Sequence, residues 1–171
     1  MENHFFTVEC VEPMIAASFY AFGTEPEKLA LDKLGKWAVP KGYFDKSDDH
    51  PVFGFNNPEP QLLYGKKVYN TESKKQNLPY GYEILIGIDS SVAIEEEMRL
   101  TQITGGYYAV LNNCTYKSED KEWLNNYWKM LFDWVRNKKL KYSYHQALEK
   151  YTIDENGNKL ITDLYYPIVK P

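Results

Sequence analysis

The sequence predicts an α+β fold in which helices cover one side of an antiparallel sheet. Segments with helical spacing of apolar residues alternate with short runs rich in aromatic and β-branched residues. The order strand, helix, strand, strand occurs twice, with about 90 residues between matching elements, so each half is expected to form a βαββ unit. We therefore expect one domain over residues 1–171, with repeats at about 5–90 and 97–169 and a ligand groove in the crease between them.

The first repeat begins with a predicted strand over residues 5–22, in which Pro13 marks a bulge or an edge position. A helix near 25–38 follows, because apolar residues recur there at helical spacing. Thr24 is expected to cap this helix, and Glu27 to complete a capping box. Two further predicted strands, at 51–56 and 82–88, complete the repeat.

The second repeat starts with a long predicted strand over residues 98–113, interrupted at Gly105-Gly106. Ser118 is expected to cap a helix that has the most regular amphipathic pattern of the chain. Its apolar stripe consists of Trp123, Leu124, Tyr127, Trp128, Leu131, Trp134 and Val135. Asn156-Gly157 between two apolar runs then predicts a hairpin, because both turn residues tolerate positive φ.

Composition excludes several classes of protein. The net charge is −4 and the basic residues are dispersed along the sequence, which predicts no direct binding to nucleic acid. The two cysteines lack CxxC spacing and are expected to be free thiols in a reducing compartment. There is neither a basic segment before an apolar run nor an apolar stretch long enough to span a bilayer, so we expect a cytoplasmic protein without membrane contacts.

No metal site and no cofactor are predicted. Three adjacent polar residues, Asp48-Asp49-His50, cannot converge on one ion without further ligands. The sequence also has no glycine-rich phosphate loop and no supported Ser–His–Asp set. An aromatic content of 16% instead supplies side chains that suit pocket walls as well as cores.

Glu149 is the most informative residue, because it lies in the middle of the predicted hairpin. Alternation puts Glu149 and Tyr151 on one face of the strand and Leu148 on the other. Leu148 suits a helix-covered core, which leaves Glu149 facing the groove; the alternative is a solvent-facing glutamate. Burial among aromatic residues would raise the pKa of Glu149 by desolvation. By the repeat, Phe55 is the counterpart of Glu149 and forms an apolar wall.

Several motifs, in this order along nearly the whole chain, resemble the GyrI-like small-molecule-binding domains, also known as effector-binding domains of AraC-type and MerR-type bacterial activators. The motifs are Phe53-Gly-Phe-Asn-Asn-Pro58, Tyr80-Gly-Tyr-Glu83, Gly106-Tyr-Tyr-Ala-Val110, Glu149-Lys-Tyr151 and Thr162-Asp-Leu-Tyr-Tyr-Pro167. The resemblance implies two βαββ repeats about a pseudo-twofold axis. Because predicted structure begins near residue 5, we expect a stand-alone member without a helix-turn-helix.

The resemblance implies a binding protein for bulky, lipophilic and often cationic aromatic compounds, with Glu149 meeting the charge. The alternative that the resemblance implies is a hydrolase that opens strained cyclopropane rings of alkylating genotoxins with the same glutamate, as some stand-alone members of the family do. A role as inhibitor or regulatory partner of another protein is a third alternative. The residues themselves do not choose between these functions.

The remaining candidate ligand-binding residues are aromatic. Tyr82 and Glu83 fall on opposite strand faces, and we favour Tyr82 for the groove. Tyr165 is the candidate in the last strand. Three more candidates lie on helix stripes, where core packing is the common alternative to ligand contact; they are Trp37, Trp123 and Tyr127.

Overall fold

The structure, a computed structural model, describes residues 5–46, 49–114, 116–117, 121–153 and 159–171. Its strands are β1 (Phe5–Val11), β2 (Met14–Gly23), β3 (Val52–Asn56), β4 (Tyr80–Gly87), β5 (Arg99–Ile103), β6 (Gly106–Asn112), β7 (Tyr116–Lys117), β8 (Leu148–Ile153) and β9 (Lys159–Ile168). Its helices are α1 (Pro26–Ala38), α2 (Pro60–Tyr64), α3 (Asn70–Lys75) and α4 (Lys121–Asn137), with 3₁₀ turns at Val39–Lys41 and Tyr43–Lys46. The predicted α+β class with antiparallel pairing is confirmed.

The chain forms two compact units. The first unit is Ile15–Thr101, and the second unit combines Met1–Met14 with Gln102–Pro171. In the first unit the strand order is β3-β4-β2, and in the second it is β8-β9-β6-β1. Each unit therefore has a strand, a helix and a strand pair in the same order, with the last strand of the pair between the other two.

In the first unit, α1 covers one face of the sheet. The register pairs Phe19 with Ile84 and Ala21 with Tyr82, so these side chains share a face. The Phe19 ring lies 5.5 Å from the ring of Trp37 on α1, and the Tyr80 hydroxyl donates a hydrogen bond to Glu27 at 2.7 Å. Beyond Pro26 at its start, the buried residues of α1 recur at helical spacing; they are Ala30, Leu31, Leu34, Trp37 and Ala38.

In the second unit, α4 covers one face in the same way. The Phe6 ring of β1 stacks on Trp134 of α4 at 5.3 Å, and Phe132 of α4 meets Tyr166 of β9 edge-on at 5.0 Å. Buried Leu124, Tyr127, Leu131 and Val135 form the rest of the helix stripe, as its spacing predicts. In the described part of the chain, no helix is both long and apolar enough to cross a membrane.

The first predicted strand is two strands. Residues 5–22 break at Glu12-Pro13, and β1 pairs along its whole length with β6 of the second unit. Proline lacks the N–H that a continuing ladder needs, so the chain can change partners there. The strand predicted at 98–113 breaks in the same way at Gly105-Gly106, where both φ angles are positive, at 71° and 129°.

Helix α1 is present as predicted, but its predicted cap is not. Helix α1 begins at Pro26, which makes Glu25 its N-cap, and no side chain caps it. The prediction of a Thr24 cap is wrong, because a proline at the first helical position sets the start one residue later. Ser118 and the turn Asn156-Gly157 lie outside the described residues. The strands that flank this turn do pair, as β8 and β9.

Candidate functional site

Glu149 is buried near the start of β8. Only 8% of it is exposed, and it is the one buried charged residue among those the structure describes. The indole Nε1 of Trp128 on α4 donates a hydrogen bond to Glu149 Oε1 at 3.4 Å. This distance is at the long end for an N–H···O bond, so the indole orients the carboxylate more than it stabilises its charge.

Glu149 lies on the face that α4 covers. It pairs with Leu164, while Leu148 pairs with Tyr165, and residues paired across an antiparallel ladder point to the same side. Leu148 therefore faces away from α4, and the prediction that Leu148 packs under the helix and Glu149 turns away from it is wrong. Both residues are buried, so alternation alone could not decide which of them faces the helix.

The surroundings of Glu149 are aromatic. Tyr151, two residues along β8 and just past a register shift after Lys150, is also buried and pairs with Ile161. The ring of Trp128 lies 6.1 Å from that of Phe132, which in turn contacts Tyr166. Sequence reasoning assigned Trp128 only to the helix stripe. Nothing in its spacing distinguished it from the other aromatic residues of α4.

The two other candidates on α4 differ in burial. Tyr127 is buried under the helix, whereas Trp123 is 57% exposed and its ring tilts against Tyr127 at 6.4 Å. Tyr127 thus packs in the apolar layer that α4 covers. Trp123 lies at the solvent side of the helix.

Tyr165 is turned away from Glu149. Its hydroxyl donates to Glu9 Oε2 at 3.4 Å, and its ring meets Tyr108 edge-on at 5.6 Å, on the face opposite α4. Burial raises the pKa of Tyr165 well above its usual value, and the negative charge of Glu9 raises it further. Glu149 and Tyr165 therefore do not converge on one site.

The other three predicted residues belong to the first unit. Tyr82 is buried on the α1 side, and its ring occupies the space beside Gly54, where an added Cβ would lie 2.3 Å from the Tyr82 hydroxyl oxygen. Phe55 is half-buried and pairs with Glu83 on the opposite face. The predicted equivalence of Phe55 with Glu149 is therefore wrong, because Phe55 faces away from α1 whereas Glu149 faces α4.

Trp37 has an unusual feature for a core residue. It is buried against Tyr43, with ring centroids 4.8 Å apart, yet its indole N–H has no hydrogen-bond partner among the described residues. Buried donors nearly always have a partner in protein, water or ligand.

Tyr82 and Glu83 lie on opposite faces, as predicted. Glu83 is half-buried and accepts hydrogen bonds from the Ser18 hydroxyl and from Asn57 Nδ2, the latter at 2.8 Å. These donors satisfy its carboxylate within the first unit. Within the described ranges, no group of three or more His, Cys, Asp or Glu side chains could hold a metal ion.

The fold is shared with several solved structures. The C-terminal domain of EcmrR matches with a TM-score of 0.62 and 12% identity over 99% of both chains. A hydrolase from Listeria innocua matches with a TM-score of 0.58 and 11% identity over 95% of this chain and 91% of that one. SAV2435 bound to tetraphenylphosphonium matches with a TM-score of 0.53 and 10% identity over 96% of this chain and 93% of that one. No curated protein sequence matches.

These likenesses define the class: the chain has the GyrI-like effector-binding fold, which confirms the resemblance seen in its motifs. The family follows from a family model for Cass2, an integron-associated effector binding protein, which matches residues 8–168. The chain belongs to this family. The prediction that the ligand groove lies between the two repeats stays a prediction.

Proposed function

We propose that this protein binds bulky, lipophilic, often cationic aromatic compounds, and that Glu149 contacts their positive charge. The observation that carries this proposal is the burial of Glu149 in contact with the indole of Trp128. Removing a carboxylate from water costs free energy. Buried carboxylates are therefore rare, and they are found most often at functional sites. SAV2435, which shares the fold, is bound to a lipophilic cation.

The chemistry of the site favours a cation that is also apolar. An ion pair at about 4 Å is attractive by about 4 kcal/mol at an effective dielectric constant near 20, before desolvation is subtracted. Each aromatic face adds about 0.5–2 kcal/mol of cation–π attraction. A small hydrated cation would lose its hydration shell without gaining apolar contact, so flat or bulky aromatic cations are the expected ligands.

The test is a calorimetric titration with tetraphenylphosphonium. Glu149→Gln keeps the shape and the hydrogen bond from Trp128 but removes the charge. We expect it to weaken binding at least tenfold, or about 1.4 kcal/mol. Glu9→Gln is the matched control, because Glu9 is a half-buried glutamate of the same unit on the opposite face. Equal affinity of wild type and Glu149→Gln would refute the proposal.

A hydrolase that opens strained cyclopropane rings is the second candidate function, and the fold neighbour described as a hydrolase favours it. In this reaction Glu149 accepts a proton from water while the water oxygen attacks a ring carbon. The ring C–C bond breaks, and its electron pair passes to the other carbon, which is then protonated. The expected product is the substrate plus one water, seen by mass spectrometry and lost in Glu149→Gln. Recovery of intact substrate from the wild type would exclude this function.

A further inference from the structure

Residues 138–144 of the second unit carry three lysines and two exposed tyrosines, and pairing with residues 167–169 brings the backbone at Lys170 next to them. We infer that this surface, the Lys–Tyr platform, binds single-stranded nucleic acid. The platform consists of Lys138, Lys139, Lys141, Tyr142, Tyr144 and Lys170.

Pairing between two distant segments adds Lys170 to the run of lysines and tyrosines at 138–144. The backbone N–H of Val169 donates to the carbonyl of Lys141 at 2.8 Å, and that of Ser143 donates to Pro167 at 3.2 Å. An isolated bridge joins Tyr142 to Ile168 between these two bonds. The backbone at Lys170 thereby lies beside Lys141, and the Lys170 Nζ lies 5.6 Å from the centre of the Tyr107 ring. The other five platform residues already stand together in the sequence, at 138–144.

The charge of the platform differs from that of the whole chain. Residues 138–147 and 164–171 contain four lysines and no aspartate or glutamate. The net charge of the chain is −4, so the remainder carries −8 (−4 minus +4). The positive surface attracts a polyanion, whereas the acidic remainder of the protein repels it.

The tyrosines supply what a charge patch alone lacks. Tyr144 is 95% exposed, and its ring meets that of the half-exposed Tyr142 edge-on at 5.4 Å. Tyr142 tilts against Tyr166 at 5.5 Å, so its ring is held in place. Exposed rings beside lysines are the pattern of single-strand recognition, in which bases stack on aromatic faces and phosphates meet cations. Neither an acidic peptide nor a lipid headgroup requires an open π face.

The side chain of His145 holds the loop that carries the platform in position. His145 donates from Nε2 to the carbonyl of Tyr107 and receives the Ser143 hydroxyl at Nδ1, each at 3.0 Å. Its ring also meets that of Tyr108 edge-on at 4.7 Å. A loop fixed in this way loses little conformational entropy when a partner binds.

Lys139 has a conformation that a lysine rarely adopts. Helix α4 ends in a Schellman motif, with the N–H of Leu140 bonded to Val135 and that of Lys139 bonded to Arg136. Lys139 is the left-handed residue of this motif, at φ 55°, where glycine is the usual choice. The strained backbone is explained if the side chain has a function that glycine cannot supply.

The test is fluorescence anisotropy with a labelled single strand of about 12 thymidines, a length that spans a typical site. We expect micromolar binding at low salt. Four neutralised phosphates give a salt slope near −3, so binding weakens about 50-fold from about 50 to about 200 mM salt. Tyr144→Ser should weaken binding at least fivefold, whereas Tyr144→Phe, which keeps the ring, should not.

Two variants test the charge. Lys141→Gln should weaken binding and reduce the salt slope by about one, while the matched control Lys28→Gln, an exposed lysine of the first unit, should change neither. The inference is overturned if the oligonucleotide does not bind, if the Ser and Phe variants bind equally, or if a duplex of the same length binds as tightly. Binding to phosphatidylglycerol vesicles without binding to the oligonucleotide would also overturn it. None of these outcomes depends on ligand binding at Glu149.

Discussion

Alkaline pH should destabilise the protein through Tyr108, by an amount that follows from its burial. Tyr108 is 1% exposed, and desolvation raises the pKa of its hydroxyl from 10.0 to about 12. Because the pKa is higher in the folded state, the ionisation of Tyr108 leaves the free energy of unfolding unchanged below pH 10. Between pH 10 and pH 12 the unfolded state ionises first, so the free energy of unfolding falls as the pH rises. At about pH 11 the loss is about 1.4 kcal/mol, since one pKa unit corresponds to 1.36 kcal/mol.

The assay is urea unfolding of the wild type and Tyr108→Phe at pH 8 and pH 11. Phenylalanine removes the titrating group and also the hydrogen bond to the Gln146 carbonyl, so the variant should be about 1 kcal/mol less stable at pH 8. Between the two pH values, however, the wild type should lose about 1.4 kcal/mol more than the variant. Parallel losses in the two proteins would refute the reasoning from burial.

Three further predictions concern single residues. At pH 8, Ellman's reagent should modify exposed Cys10 quickly and Cys114 only after unfolding, because burial raises the pKa of Cys114 to about 12; two equally fast thiols would contradict this. Gly54→Ala should lower the free energy of unfolding by about 1–3 kcal/mol, because its Cβ overlaps Tyr82; an unchanged melting temperature would be inconsistent with this packing. Lys139→Gly should stabilise the protein by about 0.5–1 kcal/mol in thermal unfolding while weakening oligonucleotide binding, and a loss of stability would argue against strain there.

The local elements were predictable because their causes are local. The stripe of α4 and the proline near the start of α1 are visible in the sequence, and both helices form where expected. Pro13 predicts a bulge or an edge position, but it does not predict that the strands before and after it pair with different partners. A change of partner depends on which strand lies alongside, and sequence spacing does not contain that information.

The orientation of Glu149 was not predictable for a similar reason. Alternation separates Glu149 from Leu148, but both are buried, so either could have faced the helix. The assignment of Phe55 as its counterpart failed because a shift of one residue reverses the face. Trp128 is recognisable as a contact of Glu149 only once the register of β8 and β9 is known. The place of Lys170 in the Lys–Tyr platform likewise follows only from the pairing of Tyr142 with Ile168, whereas the other five residues are contiguous in the sequence.

The central claim is that the buried carboxylate of Glu149 recognises positive charge, and one thermodynamic cycle tests it most directly. Methyltriphenylphosphonium and neutral triphenylphosphine oxide are of similar bulk, and each is titrated into wild type and Glu149→Gln. We predict that the substitution weakens the cation about 1–3 kcal/mol more than the neutral compound, which is the coupling between the two charges. Equal changes for both compounds, or none for either, would contradict the claim.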